Sequence, residues 1–567
     1  MKLATVASLV LVGEAVLASN TDVTFNKDIA PIVFAHCSIC HRPGESGPFA
    51  LLSFRDVEKR ARQIAQVTRS RYMPPWLPAG ARGEFVGDRR LTGEQVELFA
   101  RWFQAGAPEG APSQLPPLPR FVGGWQLGKP DLVVRMPRPF TLAADGRDVY
   151  RNFVIPVPLK VPRYVRAVEF RPDNLRIVHH AFVKVDTSGQ AGSFDGADGQ
   201  PGFDGMNLPN SVRTPDGYFL GYQPGKMPSS EPPGYGWTLK PGEDLVVQAH
   251  LRPTGKPETI QAQVGLFFTD TPPTNTTMIL VLTSLNIDIP AGNNAWVLED
   301  QFVLPVDVEV LSVLPHAHYL GKRLEGFARR TDGSIQPLLT IPDWDFNWQG
   351  DYRYAHPVHL PAGTELGMHF TYDNSTANPR NPNQPPKEVL YGPQTTDEMG
   401  ELWFQVRLNN PGDGARLKEA YNQKNQQLIR RYAEFRLARN PRDARARTEL
   451  GFAQWAAGQT TEALETLREA CADDPKYDQP HYYRGVIYRT QNLLTRARTE
   501  LEAAIRLNPR NARAFGNLAF LFLDLGDLDQ AEKKIRQALL LDPTDALARE
   551  TLQRIERLRA APEAATK

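Results

Sequence analysis

The spacing of hydrophobic and polar positions changes along the chain and separates three regions. Between residues 22 and 105, apolar positions recur at helical spacing, for example in DVEKRARQIAQVTRSR (56–71) and TGEQVELFARWFQAG (92–106). This spacing predicts short helices separated by loops. The proline-rich stretch APEGAPSQLPPLPR (107–120) follows, and its composition is typical of a linker.

Residues 121–410 contain short apolar runs separated by turn residues, a pattern that predicts β-strands. DLVVQAHLRP (244–253) and MILVLTSLNIDIP (278–290) are two of these runs. Strands that follow one another without intervening helices favour β-sandwich or jelly-roll packing. The length of the region predicts two sandwiches in tandem, over residues 121–287 and 288–410.

From residue 411 the pattern is helical and repeats every 34 residues. A proline, a turn residue and two alanines recur in each step. They are Pro441, Pro475, Pro509 and Pro543; Gly458, Asn492 and Gly526; and Ala463, Ala497, Ala531, Ala470, Ala504 and Ala538. This helix–turn–helix period resembles tetratricopeptide repeats and implies an α-solenoid over residues 411–560. Docking of a protein partner is one interpretation, and self-association or stabilisation is the other.

Length and charge narrow the class of protein. A chain of 567 residues is too long for one hydrophobic core, so a multidomain protein is expected. The 65 Lys and Arg residues nearly balance the 64 Asp and Glu residues. Such a balance gives no reason to expect nucleic acid or an anionic membrane surface as a partner.

The first 19 residues have the features of a secretory signal peptide. Lys2 precedes an apolar run, which Glu14 interrupts and which ends in small residues at Ala18 and Ser19. No other segment is long and apolar enough to span a bilayer, so no membrane span is expected in the mature chain.

Two of the three cysteines belong to a haem-attachment motif. In HCSICH, Cys37 and Cys40 are spaced for two thioether bonds to haem, and His41 follows as an iron ligand. A redox-active C-x-x-C would give His41 no role, and a zinc site would need two further ligands nearby. The third cysteine, Cys471, is expected to be a small apolar filler.

Met73, in RYMPPWLP, is the best candidate for the sixth iron ligand. A thioether raises the iron potential and suits an electron carrier; packing of Met73 in the core is the alternative. Residues 20–112 thus resemble a class I-like, all-α cytochrome c domain. Covalent haem attachment in bacteria takes place outside the cytoplasm, so we expect a periplasmic or secreted protein.

Five histidines, His179, His180, His250, His316 and His318, are the only ones between residues 42 and 355. In the HAH sequence, the rings at i and i+2 project from the same face of a strand and are suited to chelate one ion. Adjacent histidines point to opposite faces of a regular strand. For both members of the HH pair to bind one metal, the backbone must bulge or the strand must end there.

Ligand type restricts the metal. Three imidazoles suit zinc or copper, whereas two imidazoles with a thioether favour copper, because sulfur stabilises Cu(I). Met368 and Met399 are both candidates for the thioether.

The order HH, H, H-x-H and DEM over residues 125–408 resembles the copper type II ascorbate-dependent monooxygenases. Supporting stretches are VVQAHLRPTG, HAHYLGK and TTDEMGELWF. The resemblance implies an electron-storing copper on His179, His180 and His250, and an oxygen-activating, catalytic copper on His316, His318 and Met399. It also implies that each copper lies on a different sandwich, facing the other across a cleft. Met368, His369, His356 and His359 are then expected to pack within strands.

The chain departs from that family in three ways. It lacks the cysteines that cross-link the animal enzymes. Leu314 stands where the peptide-hydroxylating enzyme has an arginine that holds the substrate carboxylate. Glu401 and Trp403 stand where it has an asparagine and a tyrosine. A peptidylglycine substrate is therefore not expected.

The sequence predicts a copper-dependent monooxygenase that hydroxylates a C–H bond of an unknown small-molecule or peptide-like substrate with O2. Two copper ions and one haem c are its expected cofactors, and the haem would replace ascorbate as reductant, itself reduced by an external donor. One alternative is a non-catalytic electron-transfer or copper-handling protein that docks a partner through its repeats. Another is a zinc hydrolase with Glu398 as general base.

Overall fold

The computed structural model describes residues 23–206, 208–209, 211–215, 217–543 and 545–560. The predicted signal peptide lies outside these residues. The described chain forms two compact units. The first unit contains the residues up to Trp76 together with Arg89–Phe121, and the second contains Leu77–Asp88 and the residues from Val122 onward.

The described part of the first unit is helical and contains no strand. Its elements are a π-helical turn Phe25–Ile29, α1 Ala30–His36, α2 Phe54–Glu58, α3 Ala61–Arg69, α4 Gly93–Gln104 and a 3-10 turn Pro112–Gln114. Capping boxes begin α2 at Ser53 and α4 at Thr92. Phe25, Phe99 and Trp102 are fully buried in the core that these helices share.

Two details of this unit differ from the prediction. The helix expected over residues 56–71 is divided into α2 and α3, because Arg60 leaves the helical conformation; its guanidinium stacks on the Phe49 ring, 3.6 Å from the centroid. The domain expected over residues 20–112 is interrupted as well. Leu77–Asp88 belongs to the second unit, where Ala79 donates to the Thr340 carbonyl at 2.7 Å.

The second unit begins its β region with twelve strands, which we call the first sheet pair. They are β1 Leu132–Arg135, β2 Phe140–Leu142, β3 Val149–Ile155, β4 Arg163–Arg171, β5 Val178–Asp186, β6 Phe203–Asp204, β7 Val212–Arg213, β8 Gly221–Tyr222, β9 Trp237–Leu239, β10 Asp244–Leu251, β11 Glu258–Ile260 and β12 Gln263–Thr269. One antiparallel sheet has the order β1-β12-β4-β9, and the other has the order β6-β3-β10-β5-β7, with β8 also on β5. Residues of both sheets, including Leu266 and Val247, share one buried core.

Ten further strands form what we call the second sheet pair. They are β13 Thr277–Thr283, β14 Asp288–Ile289, β15 Trp296–Val303, β16 Val308–Ala317, β17 Gly321–Arg329, β18 Ile335–Ile341, β19 Tyr352–Leu360, β20 Glu365–Tyr372, β21 Val389–Leu390 and β22 Gly400–Leu408. The main sheets have the orders β13-β22-β16-β19 and β15-β20-β17-β18. Gly326 of one sheet faces Leu402 of the other so closely that a Cβ would lie 2.6 Å from the leucine side chain.

The boundary between the two β regions lies earlier than residue 288, where the sequence places it. Strand β13 pairs along its whole length with β22 and is therefore part of the second sheet pair. The apolar run 278–290 predicted a strand here, but a local pattern does not reveal its partner.

The C-terminal region consists of helices arranged in antiparallel pairs. They are α5 Gly414–Arg439, α6 Ala444–Ala456, α7 Thr460–Asp473, α8 Gln479–Thr490, α9 Leu494–Leu507, α10 Ala512–Asp524, α11 Leu528–Leu541 and α12 Ala546–Ala560. The predicted turn residues Gly458, Asn492 and Gly526 all have a positive φ, at 80°, 59° and 76°. The six repeated alanines are at most 1% exposed. The helical repeat predicted from the 34-residue period is confirmed.

Helix α5 is anchored on the second sheet pair by a buried ion pair. The Lys424 ammonium contacts the Asp300 carboxylate, and the two side chains are only 7% and 5% exposed. Asp300 also accepts a hydrogen bond from the Thr283 amide at 2.9 Å, and the Val281 amide donates to the Tyr421 hydroxyl at 2.9 Å. The start of the helical region is thus fixed on the β region.

None of the helices in the described ranges combines the length and the apolar composition that crossing a membrane requires.

We predict that Lys424→Ala lowers the free energy of unfolding by up to about 3–5 kcal/mol, because it removes the buried counterion of Asp300 and leaves only the more exposed Arg431, 3.7 Å away. Arg430→Ala is the control, since its ion pair with Glu434 is exposed and is worth only about 0–1 kcal/mol. Urea unfolding followed by circular dichroism measures both variants. Equal losses in the two variants would contradict the anchoring role of Lys424.

Candidate metal centre

The first histidine set consists of His179 and His180 on β5 and His250 on β10. His180 stands directly opposite His250, whereas the next pair in the ladder is Val178 with Leu251. His179 is therefore an extra residue, which forms a β-bulge. The bulge allows both adjacent histidines to lie on the side of His250, as the HH pair requires if both are to bind one ion.

The three imidazoles converge on one point. One ligand atom from each of the three lies within 4.8 Å of the others, and the Nδ1 atoms of His179 and His180 are 3.1 Å apart. His179 Nε2 and His250 Nδ1 are buried without a hydrogen-bond partner. Nitrogen ligands about 2.0–2.1 Å from a shared ion have similar mutual distances, so the donors fit a metal.

A carboxylate fixes the tautomer of His250. Its Nε2 lies 2.8 Å from the Asp148 carboxylate, which only accepts, so Nε2 carries the proton and Nδ1 keeps its lone pair. The Tyr150 ring stacks on the His250 ring at 4.3 Å and restricts its rotation. A carboxylate or carbonyl on the second ring nitrogen is typical of metal-bound histidines.

The first set is held neutral by its surroundings. Burial and the neighbouring His250 lower the pKa of His179 to about 2, and the same two causes lower the pKa of His180. Neutral imidazoles are the form that binds metal ions.

The second set is carried by β16 and by the residue that precedes β22. His316 stands opposite Glu401 in the ladder, His318 follows the end of β16 and is 1% exposed, and Met399 is 8% exposed. His316 Nδ1 donates to Gln349 Oε1 at 2.7 Å, and His318 Nδ1 donates to the carbonyl oxygen of Asp397 at 3.0 Å. Both rings therefore leave Nε2 free for a ligand.

The Glu398 carboxylate organises this second set. It accepts hydrogen bonds from the backbone amides of His318, Leu320 and Met399, the last two at 3.0 and 2.8 Å. Burial raises the pKa of Glu398 to about 8, although the three amide donors act in the opposite direction. A carboxylate occupied in this way is poorly placed to act as general base, so the structure disfavours the zinc-hydrolase interpretation.

Both sets contribute residues to one cavity and share one aromatic neighbour. His180, His316, His318 and Met399 all line a cavity of about 230 Å³. The Phe346 ring stacks on His179 at 4.8 Å and meets His318 edge-on at 5.5 Å. A single aromatic ring thus separates the two histidine sets.

The remaining candidates of the β region lie outside this site. Met368 is 1% exposed on β20, consistent with its expected place in strand packing. His369 is 37% exposed and contacts Glu299, while His356 and His359 are exposed on β19. These three histidines lie on strands as expected, but they are not packed in the core, because their faces of the strands meet solvent.

The haem motif lies just after α1. The backbone amide of His41 donates to the Cys37 carbonyl at 3.0 Å, and its Nδ1 donates to the Phe49 carbonyl at 3.1 Å, which leaves Nε2 free. Gly47 lies so close that a Cβ would be 2.9 Å from His41 Cγ. These contacts fit an axial ligand whose orientation is fixed by its second nitrogen.

The sulfur groups of this segment do not resemble a dithiol catalyst. Burial and the neighbouring Cys40 raise the pKa of Cys37 to about 12, whereas reactive C-x-x-C thiols have lowered pKa values. Met73 follows α3, is half-buried and lies outside the buried core of the unit, so core packing is not its role. Cys471 is only partly buried.

Sequence reasoning missed the groups that support the ligands: Asp148, Gln349, Phe346 and the structural role of Glu398. Phe346 lies in the aromatic stretch DWDFNWQGDYRY (343–354), which is the signal in the sequence that could have pointed to it. Asp148 lies 102 residues before His250, and no local pattern connects them.

Comparison with known proteins identifies the C-terminal region. Residues 422–478 and 482–546 match the tetratricopeptide repeat family model. The C-terminal helices are tetratricopeptide repeats. This chain is 32% identical over 102 residues to the mouse (Mus musculus) protein O-mannosyl-transferase TMTC1; the match covers 18% of this chain and spans about a tenth of the mouse protein, 11%.

Two solved structures are similar to the repeats. The first tetratricopeptide repeat domain of Spaghetti (RPAP3), bound to the HSP90 peptide SRMEEVD, is 22% identical, with 21% of this chain and 94% of that chain covered and a TM-score of 0.20. The Arabidopsis OM64 tetratricopeptide repeat domain is 18% identical, with 20% and 95% covered and a TM-score of 0.20.

We predict that Asp148→Asn weakens metal binding by the first histidine set about 10- to 100-fold, because the amide lacks the carboxylate charge and can turn its NH2 toward His250, so that the tautomer is no longer fixed. Asp145→Asn, an exposed change three residues earlier, is the control. Competition with a chromophoric Cu(I) chelator measures the affinity. Equal affinities in the two variants would show that Asp148 does not support the ligand.

We predict that Glu398→Gln costs about 1–3 kcal/mol of unfolding free energy, because an amide cannot accept all three backbone hydrogen bonds and its NH2 faces a donor. The metal should be lost from the second set and kept on the first. Glu299→Gln, on an exposed strand face, is the control. Metal analysis after gel filtration measures the stoichiometry; two retained metals would contradict the organising role of Glu398.

Proposed function

We propose that this protein is an exported copper-dependent monooxygenase that hydroxylates a C–H bond of its substrate with O2. The observation that supports this best is the presence of two ligand sets beside one cavity, in which His250, His316 and His318 each have one ring nitrogen held by an acceptor. A single structural metal would need only one set. Two sets beside a cavity suit a two-electron reaction on a bound substrate.

The donor atoms favour copper over other metals. His179, His180 and His250 offer imidazoles, and the second set adds the Met399 thioether to two imidazoles, a combination that suits a metal cycling through Cu(I). The resemblance of residues 125–408 to the copper type II monooxygenases supports the same choice. In this proposal the two sheet pairs form the tandem β-sandwich copper core.

Copper bound at the two sets would supply the two electrons that hydroxylation with O2 requires, one from each site. The residues of the chain orient the metal ligands and fix their protonation. Asp148 and Gln349 hold ring protons, so that the opposite nitrogen of each histidine stays unprotonated. Glu398 ties the backbone of His318 to that of Met399. Phe346 packs against His179 of one set and His318 of the other.

In the first unit, Cys37 and Cys40 would hold haem c covalently, with His41 and Met73 as iron ligands. A haem held there would supply single electrons for the reaction. Attachment to the same chain raises the effective concentration of the donor over that of a separate protein. Haem attachment and the N-terminal residues together favour a periplasmic or secreted location.

The repeats give a second candidate function a specific basis. Tetratricopeptide repeats form concave surfaces that bind protein partners. A haem and copper electron-transfer protein that docks a partner there would use the same metal ligands without hydroxylating a substrate.

The first test is the metal content of protein matured with its haem. We expect one haem and two copper ions in the wild type, and the loss of one copper in each of His250→Ala and His316→Ala. His359→Ala, which changes an exposed histidine, is the control and should keep both. One copper or none, insensitive to these changes, would contradict the paired sites.

A kinetic test separates the two functions. Reduced haem should be reoxidised faster when copper and O2 are both present, and label from 18O2 should enter a substrate. Copper binding without oxygen incorporation would favour the electron-transfer protein.

A further inference from the structure

One wall of the cavity is a single face of β5. His180, Phe182 and Lys184 are spaced two residues apart, so their side chains share that face, and all three line the cavity. Lys184 is four residues from His180, or about 13 Å along an extended strand. The lysine therefore belongs to the same cavity as the metal ligands but lies away from the first histidine set.

The rest of the cavity is mainly apolar. Residues from both sheet pairs contribute hydrocarbon surface, among them Leu220, Ile279, Leu314, Pro315 and Trp403. A volume of about 230 Å³ is near the lower end for ligand sites and limits the occupant to a small molecule. A hydrocarbon body with few polar groups fits such walls.

Lys184 places a positive charge in the wall of this mainly apolar cavity. Among the described residues, none lies within hydrogen-bond or ion-pair distance of its ammonium. Burial lowers the pKa of Lys184, and the charge of Glu401 acts in the opposite direction. Glu401 already accepts a hydrogen bond from the Trp403 indole at 2.8 Å. A half-buried ammonium that lines a largely apolar cavity and has no protein acceptor in the described part of the chain is suited to a ligand that brings a carboxylate.

We propose that Lys184 binds the carboxylate of a small, otherwise apolar monocarboxylate, which is the substrate class of this cavity; the substrate role rests on the proposed function. Glu401, whose charge acts on Lys184 and which lines the same cavity, stands opposite His316 on the neighbouring strand. A carboxylate held by Lys184 therefore lies close to the second histidine set. A short hydrocarbon between the carboxylate and the reacting carbon is sufficient.

The test is direct binding to the full-length, metal-free protein, with phenylacetate and hexanoate as probes and their uncharged amides as matched ligands. Calorimetry should show each carboxylate binding at least about tenfold more tightly than its amide. Lys184→Met should abolish this preference and leave amide binding unchanged, and Lys184→Arg should retain it. Lys160→Met, an exposed change in the first sheet pair, is the control.

A variant of Glu401 provides a second test by the same calorimetric measurement. Glu401→Gln removes a negative charge near the ligand and should tighten carboxylate binding without affecting the amides. Equal binding of carboxylates and amides by the wild type, or a preference that survives in Lys184→Met, would overturn the proposal. Thermal unfolding of each variant shows that the fold is retained.

The outcome is separate from that of the monooxygenase test, because binding needs neither copper nor O2. A carboxylate preference that depends on Lys184, without oxygen incorporation, would support the anion site and count against the enzyme. Oxygen incorporation into substrates without a carboxylate, together with equal binding of carboxylates and amides, would support the enzyme and count against the anion site.

Discussion

The bulge at His179 is the constraint on which the centre depends. In a regular strand, His179 and His180 would lie on opposite faces, and a three-imidazole set with His250 would not form. The extra residue brings three neutral rings together in a buried place, where His179 Nε2 and His250 Nδ1 have no hydrogen-bond partner. Buried polar atoms without a partner are costly in a protein core, and their convergence makes this place a candidate metal centre.

The residues of the second set are held together in a different way. His316 and His318 are two residues apart, so no bulge is needed to bring both rings to one side. His318 and Met399, however, lie just beyond the ends of β16 and β22. Glu398 supplies the order that strand pairing no longer gives, through three backbone amides. Phe346 then joins the two sets by contact with both. The two sets are thus built independently and meet at one aromatic ring and one cavity.

The repeats are attached to this centre by burial and not by surface charge. Exposed ion pairs are numerous along the helices, yet each contributes little. Lys424 and Asp300, in contrast, are buried together and fix α5 on β15. Tyr421 of α5 also accepts a hydrogen bond from Val281 on β13, in the sheet that contains β22, the strand next to Met399. A partner bound on the repeats would therefore contact a region whose first helix is fixed to the β core.

The sequence alone determined the features that depend on local spacing. The 34-residue period gave the helix pairs, their buried alanines and their positive-φ turns, because each repeat packs only on its neighbours. The H-x-H and C-x-x-C-H spacings likewise named candidate ligands. The sequence did not determine that β13 belongs with β22, that Asp148 supports His250, or that Lys184 faces an apolar cavity. These contacts join residues far apart in the chain, and only tertiary packing brings them together.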